Sequence, residues 1–207
     1  KEFLFIFDHA YLLHDFLPSA EQTPAWELAN KFDAQDQTAI FCSFSKVTFG
    51  GGGLSFAAAG TKLFDLLSKQ RASMIVCSDK VNQLRHLGFL KNKTEVENHM
   101  KKHADLVRPK FEVAFNALDA MSPDIGNYKK PTGGYFISFN ATKPIAKRVI
   151  ELCKEAGVLI TPAGSTYPHF HDPQDSNIRL APTFLGLDDL KEAMEVFTTA
   201  LKIAFEE

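Results

Sequence analysis

Charge of one sign is not in excess in this 207-residue chain, where 23 Lys and Arg stand against 25 Asp and Glu, for a formal net charge of −2 and a pI near 6.4. Such a balance leaves no electrostatic footprint for nucleic acid or an anionic membrane surface, so small molecules or proteins are the expected partners. Only three cysteines occur, Cys42, Cys77 and Cys153, without paired-ligand spacing. Neither a disulfide framework nor a zinc site is suggested, and a reducing, cytoplasmic setting is expected. No apolar run approaches the roughly 20 residues that span a bilayer, and no secretory signal is visible. An initiator methionine, internal repeats and low-complexity tracts are also missing, one run of glycines aside. Because the first residues, Lys1-Glu-Phe-Leu-Phe-Ile-Phe7, already read as a buried strand, the sequence is expected to begin in mid-domain.

What is present is an ordinary globular composition, 45% hydrophobic and 23% charged, sufficient for one large or two small domains with a real core. The opening run has the continuous apolar character of a central parallel strand with neighbours on both sides. Thr23-Pro24 predicts a helix start with Pro24 at the first helical position, and Thr38–Cys42 a second strand. Leu54–Ser68 has helical spacing, and Ser73–Cys77 reads as a third strand. From Thr94, read as the N-cap, an amphipathic pattern predicts a long helix to about Met121, kinked at Pro109. Strands are then expected over Tyr135–Phe139, Val158–Ile160 and Asn177–Leu180. Helices are expected over Ile145–Ala156, stopped by Gly157, and over Leu187–Phe205. This divides the chain into residues 1–94 and a smaller α+β domain over 95–207.

Four features carry candidate chemistry. Lys46 follows the second strand, in Phe41-Cys-Ser-Phe-Ser-Lys46, where ligands gather in α/β sheets. Fenced by Phe41, Phe44 and Phe49, its amine would be partly desolvated and nucleophilic; a plain surface lysine is the alternative. Gly50–Gly53 admit the backbone turns that point N–H groups at an anion, although a hinge or a close packing contact would use glycine equally well. The lysine precedes the glycines, which argues against a nucleotide-hydrolysing P-loop. Asp8, in Asp8-His-Ala-Tyr11, places a carboxylate at a strand end that calls for a cation or donor, with Tyr11 beside it. Arg179, inside the last strand, offers a planar fork either to a ligand carboxylate or to an internal salt bridge. His99 and His103 lie at i and i+4 without the glutamate of a zinc-protease helix and are read as a solvated helix face; His169 and His171, near Tyr167, are read as loop residues.

In their order, these features resemble the fold-type I pyridoxal 5'-phosphate (PLP) aminotransferases. The matching stretches are Asp8-His-Ala-Tyr11, Ser43-Phe-Ser-Lys46 38 residues after Asp8, Gly133-Gly-Tyr-Phe136, Val158-Leu-Ile-Thr-Pro-Ala-Gly164 and Ser176-Asn-Ile-Arg179. Ser45-Lys-Val-Thr-Phe-Gly-Gly-Gly-Gly53 and Asp79-Lys-Val-Asn-Gln-Leu-Arg-His86 are similar to a MocR-type branch that includes bacterial aspartate aminotransferases. The resemblance implies an α/β PLP-dependent transferase fold. Residues 1–94 would be the carboxyl-terminal part of the large domain, and 95–207 the small α+β domain with the long interdomain helix. It implies Asp8 against the pyridine nitrogen, Tyr11 at the ring hydroxyl, and Lys46 as Schiff-base former and proton shuttle. Ser43 and Ser45 would serve the phosphate, and Arg179 and Tyr135 the substrate, with Lys80 and Arg85 as candidates for a distal carboxylate. Where ordinary members place a phosphate-binding arginine after the lysine, this chain has Gly53, Leu54 and Ser55; backbone amides at Gly51 and Gly52 are the expected replacement. The family's amino-terminal half is absent from these residues, so the chain reads as the carboxyl-terminal portion of a homodimeric enzyme, inactive alone. Amino acids, with aspartate foremost, and 2-oxo acids such as 2-oxoglutarate are the implied substrates. A PLP-dependent lyase, or a PLP-binding domain of a transcription regulator, stays open as the alternative.

Overall fold

The computed structural model describes residues 3–17 and 24–207. These form two compact units, Lys1–Lys102 and His103–Glu207, with the division inside a helix rather than at its start.

The first unit holds a three-stranded sheet ordered β1-β2-β3, from Phe5–His9, Thr38–Ser43 and Ser55–Ala59. β1 runs parallel to β2, with Asp8 opposite Phe41 and His9 opposite Cys42; β3 runs antiparallel, with Ser43 opposite Ser55. β1 is not the buried central strand expected. Among the described residues its only neighbour is β2, and Ile6 is 67% exposed. Among the described residues, the helices of this part of the chain are α1 (Ala25–Lys31), α2 (Thr61–Met74), α3 (Lys80–Phe89) and the start of α4 (Lys93–Asp119). Pro24 caps α1 from just outside instead of occupying its first position, while Thr23 lies outside the described residues.

Two further expectations fail here for one physical reason. Residues 55–59, read as helix, pair with β2, because a run of Ser, Phe and Ala is acceptable to either period and the ladder decides. Ser73–Cys77, read as strand, finds no ladder among the described residues: α2 ends at Met74, and Val76 is 99% exposed.

In the second unit, β4 (Gly126–Tyr128), β5 (Ile137–Ala141) and β6 (Asn177–Leu180) form an antiparallel sheet in that order. α4 continues through Pro109, and its N-terminus is capped by Asn92, whose side chain accepts the Glu95 N–H at 3.0 Å, two residues before the expected cap. α5 (Ala146–Glu155) stops at Gly157, whose φ of +85° suits the glycine stop expected there. Along α6 (Leu187–Glu206), Leu190, Met194, Phe197, Leu201 and Ala204 recur at helical spacing and are all buried. Phe197 meets Phe139 of β5 edge to face, with ring centroids 5.9 Å apart, and the buried Val149, Cys153 and Ile178 belong to the same unit's core. Val158–Ile160, expected as a strand, forms none.

Asp172, which is buried, pins the approach to β6. Its carboxylate accepts the backbone N–H groups of Gln174, Ser176 and Asn177 at 3.0, 2.8 and 2.9 Å. Burial works to raise this carboxyl's pKa, but the backbone donors outweigh it and hold it below the usual 3.8. Stabilisation of this kind is present above the unfolded-state value and is lost as pH falls through the folded value. Asp172→Asn is therefore expected to cost the protein about 1–3 kcal/mol at neutral pH. In urea unfolding, the gap between the two proteins should narrow as pH drops below 3.8.

Candidate active site

Parallel pairing sends β1 and β2 out of the same end of the sheet, so the residues after Asp8 and those after Ser43 emerge together. This is the end where α/β sheets bind ligands. Asp8 is exposed at that end and accepts the Ala10 N–H at 3.1 Å, a local turn that fixes the carboxylate. The Cys42 thiol, partly buried and under the field of Asp8, has its pKa raised by burial first and by the carboxylate second.

Beyond β2, the Val47 and Thr48 N–H groups both bond the Phe44 carbonyl, at 3.0 and 2.9 Å, and close a turn with Lys46 at its apex. The Lys46 side chain is exposed, not fenced by Phe41, Phe44 and Phe49 as expected. Phe44 packs instead on Phe56 and His86, and Phe49 on His86. Lys46 Nζ lies 4.9 Å from the centroid of the Tyr11 ring. Ser43 and Ser45 hydroxyls are hydrogen-bonded at 2.6 Å, and the Ser45 N–H also donates to Ser43 Oγ at 3.1 Å.

The glycine run divides by role. At Gly53 a Cβ would fall 2.4 Å from Ser45 Cα and 2.5 Å from its nitrogen, so only glycine permits this approach to the lysine turn. Gly51 has φ +78°, whereas Gly50 and Gly51 face open space. The Gly52 N–H donates to the Phe49 carbonyl at 3.2 Å, and the Gly52 carbonyl accepts from Asn82 Nδ2 at 2.7 Å. Gly52 is thus tied into a turn held by α3, which leaves its amide less available to an anion than the sequence reading supposed.

Arg179 and Tyr135 belong to the second unit. Arg179 lies on β6 opposite Ser138, with its guanidinium carbon 4.7 Å from the Phe136 ring centroid. Its Nε is buried without a hydrogen-bond partner among the described residues, and no carboxylate among them pairs with it, so the internal salt bridge loses its support. The Tyr135 hydroxyl is 2.9 Å from His103 Nε2. Lys80 and Arg85 are exposed on α3. His169 lies inside a short 3-10 turn, Pro168–Phe170, with φ +56°, and His171 follows it.

The histidines of α4 are not a solvated face. His99 Nε2 donates to the Val47 carbonyl at 2.7 Å, and His103 holds Tyr135. His14, His86 and His99, none of them singled out as site residues by sequence reasoning, all contact the lysine turn. No group of three metal-binding side chains occurs among the described residues. Nor is any described helix long and apolar enough to cross a membrane.

The aspartate amino-transferase family model matches residues 1–207. The chain belongs to that family. It is 35% identical over 210 residues to a Mycolicibacterium smegmatis protein described as an aminotransferase, covering 100% of this chain and 49% of the relative. It is 32% identical to the aspartate aminotransferase of Corynebacterium glutamicum, covering 100% of this chain and 48% of that protein. Among solved structures, an aminotransferase-like protein of Corynebacterium diphtheriae superimposes with a TM-score of 0.93 at 34% identity, over 99% of this chain and 51% of its own. The chain therefore spans about half the length of the relatives it matches, and its α/β architecture is that of part of an aminotransferase.

Proposed function

We propose that the protein containing this chain is a PLP-dependent aminotransferase that moves the amino group of an amino acid, aspartate foremost, to a 2-oxo acid such as 2-oxoglutarate. The observation that carries this reading is Lys46. In an aminotransferase-family chain, it presents an exposed primary amine over Tyr11 at the sheet end that also bears Asp8.

The donor set fits PLP: an amine for the aldehyde, a carboxylate for a protonated ring nitrogen, a phenol, and paired serine hydroxyls for phosphate. When bound, PLP supplies a π-system that accepts the electron pair left when a bond to the substrate α-carbon breaks. Asp8 would hold the ring nitrogen protonated, and Tyr11 would donate to the ring oxygen. Lys46 would supply the amine that holds the aldehyde and the base that carries the proton at the substrate α-carbon. Ser43 and Ser45, with the backbone at Gly51, would hold phosphate in place of an arginine, Gly52 being tied into its own turn. In the second unit, Arg179 would take the substrate α-carboxylate through its fork, and Tyr135 is the second substrate-binding candidate. The active form is a cytoplasmic homodimer.

The full-length protein, given PLP, aspartate and 2-oxoglutarate, is expected to produce oxaloacetate and glutamate in equal amounts, with turnover lost in Lys46→Ala. Pyruvate or alanine without glutamate would mean a lyase instead. Binding of PLP without turnover would favour a regulatory domain.

A further inference from the structure

Three histidines from three separate segments reach three consecutive residues of the lysine turn. His14, in the loop after β1, places Nε2 3.2 Å from the Lys46 carbonyl. His99 of α4 places Nε2 2.7 Å from the Val47 carbonyl, and His86 of α3 places Nε2 2.8 Å from Thr48 Oγ1. We propose that these imidazoles form a clamp that positions Lys46 for its reaction with the cofactor aldehyde and the substrate α-carbon. The inference rests on the reading of Lys46 given above.

Each clamp arm is anchored behind. His14 is 3% exposed; its backbone N–H donates to the Tyr11 carbonyl at 3.0 Å, and its ring meets Tyr11 edge to face at 5.4 Å. One residue therefore ties together the lysine turn and the ring beneath the lysine amine. His86 is 5% exposed, bonds the Asn82 carbonyl through Nδ1 at 2.9 Å and packs edge to face on Phe49. His99 packs edge to face on Phe89 at 5.1 Å.

The chemistry of the partners sets the proton positions. A carbonyl can only accept, so His14 and His99 each carry a proton on Nε2 and use it in the clamp. His86 carries one on Nδ1 for the Asn82 carbonyl, so in its neutral form Nε2 accepts from the Thr48 hydroxyl, whose single proton is shared between this nitrogen at 2.8 Å and the Phe44 carbonyl at 3.0 Å. Three imidazoles aimed at three different atoms of the turn do not converge on a metal, and their N–H donors are engaged, which leaves them unsuited to proton transfer with a substrate. What they control is the base of a four-carbon side chain. Lysine has several rotatable bonds, so where its amine reaches depends on how firmly its backbone is held. Beside the clamp, the turn is held by the Val47 and Thr48 N–H bonds and the Thr48 hydroxyl bond to the Phe44 carbonyl, none of which engages the Lys46 or Val47 carbonyl.

The test uses full-length protein carrying His14→Leu, His99→Leu or both, beside His14→Gln and His99→Gln, whose side-chain amides retain a donor. In cofactor-free protein, hydrogen exchange over residues 44–53 is expected to quicken in the leucine variants and stay near wild type in the glutamine variants. With PLP, the rate of the borohydride-fixed lysine adduct and kcat are both expected to fall about 10-fold for each single leucine variant and about 100-fold for the pair, with KM little changed, since ångström-scale misplacement of a reacting group costs that much. Glutamine should restore most of the loss. Wild-type exchange, adduct rate and kcat in the leucine variants would overturn the clamp. So would glutamine variants as impaired as leucine, because packing rather than donation would then be the cause. If a leucine variant does not fold, the glutamine series and the half-buried His99 site still decide the matter. Lys46→Ala serves as control: an adduct that survives in it refutes the reading of the site and not the clamp.

Discussion

Arg179→Ala in the full-length protein is expected to lower kcat/KM for aspartate by about 30-fold to several thousand-fold. Truncating one partner of a desolvated, hydrogen-bonded charge pair costs about 2–5 kcal/mol, and each 1.4 kcal/mol is tenfold. The expectation follows from what surrounds the guanidinium. Its Nε is buried without a partner among the described residues, and its planar carbon stacks on Phe136 at 4.7 Å. A fixed cation held flat in this way is oriented for a planar anion. Arg179→Lys preserves the charge but loses both the fork and the stacking, so it should recover only a small part of the loss. If the arginine were merely structural, both substitutions would instead lower the unfolding midpoint and leave kcat/KM of the folded fraction unchanged. Steady-state kinetics on several amino acids, read beside thermal unfolding, separates the two outcomes.

Gly53→Ala carries the second large effect. The added Cβ would lie 2.4 Å from Ser45 Cα and 2.5 Å from Ser45 N, which are backbone atoms that cannot rotate away. Phe44 and Leu54, on either side of this contact, are joined by a 2.7 Å backbone hydrogen bond that resists separation. Overpacking of this kind costs about 1–3 kcal/mol. The displacement would also move the Ser43–Ser45 hydroxyl pair and the turn bearing Lys46, so affinity for PLP should fall by at least 10-fold. Gly50→Ala is the matched control, since a Cβ there meets nothing within 4 Å, and stability should change by less than about 0.5 kcal/mol. Urea unfolding with a PLP titration reads both. Equal behaviour of the two variants would contradict the close-approach account of the glycine run.

How much of this was legible in advance depended on whether the deciding partner is local. α5 and α6 could be read because burial at Val149 and Cys153, and at Leu190, Met194, Phe197 and Leu201, repeats at helical spacing, and because Gly157 marks a stop. β2 and β6 were legible as short apolar runs. Residues 55–59 were not, since what makes them a strand is β2, twelve residues or more away in the chain from their partners at Ser43 and Cys42. Ser73–Cys77 and Val158–Ile160 have strand composition and no ladder. β4, with only three residues, was missed, as was α3, whose start is signalled by Asp79 accepting the Asn82 N–H at 3.0 Å.

The candidate site shows the same division. Asp8, Tyr11, Ser43 and Lys46 stood out because their residue types and order match a known family. His14, His86 and His99 did not, because two of them bond to backbone carbonyls, which every residue has and no motif records. Solvent exposure of Lys46 was misjudged for a related reason: the phenylalanines near it in sequence turn toward Phe56 and His86.

The most direct test of the account is to incubate the full-length protein with PLP, reduce it with borohydride, digest it and locate the phosphopyridoxyl group by peptide mass. The account predicts a single modified peptide containing Lys46, absent when residue 46 is alanine. Modification of a different lysine at full yield, or its persistence in Lys46→Ala, would contradict it.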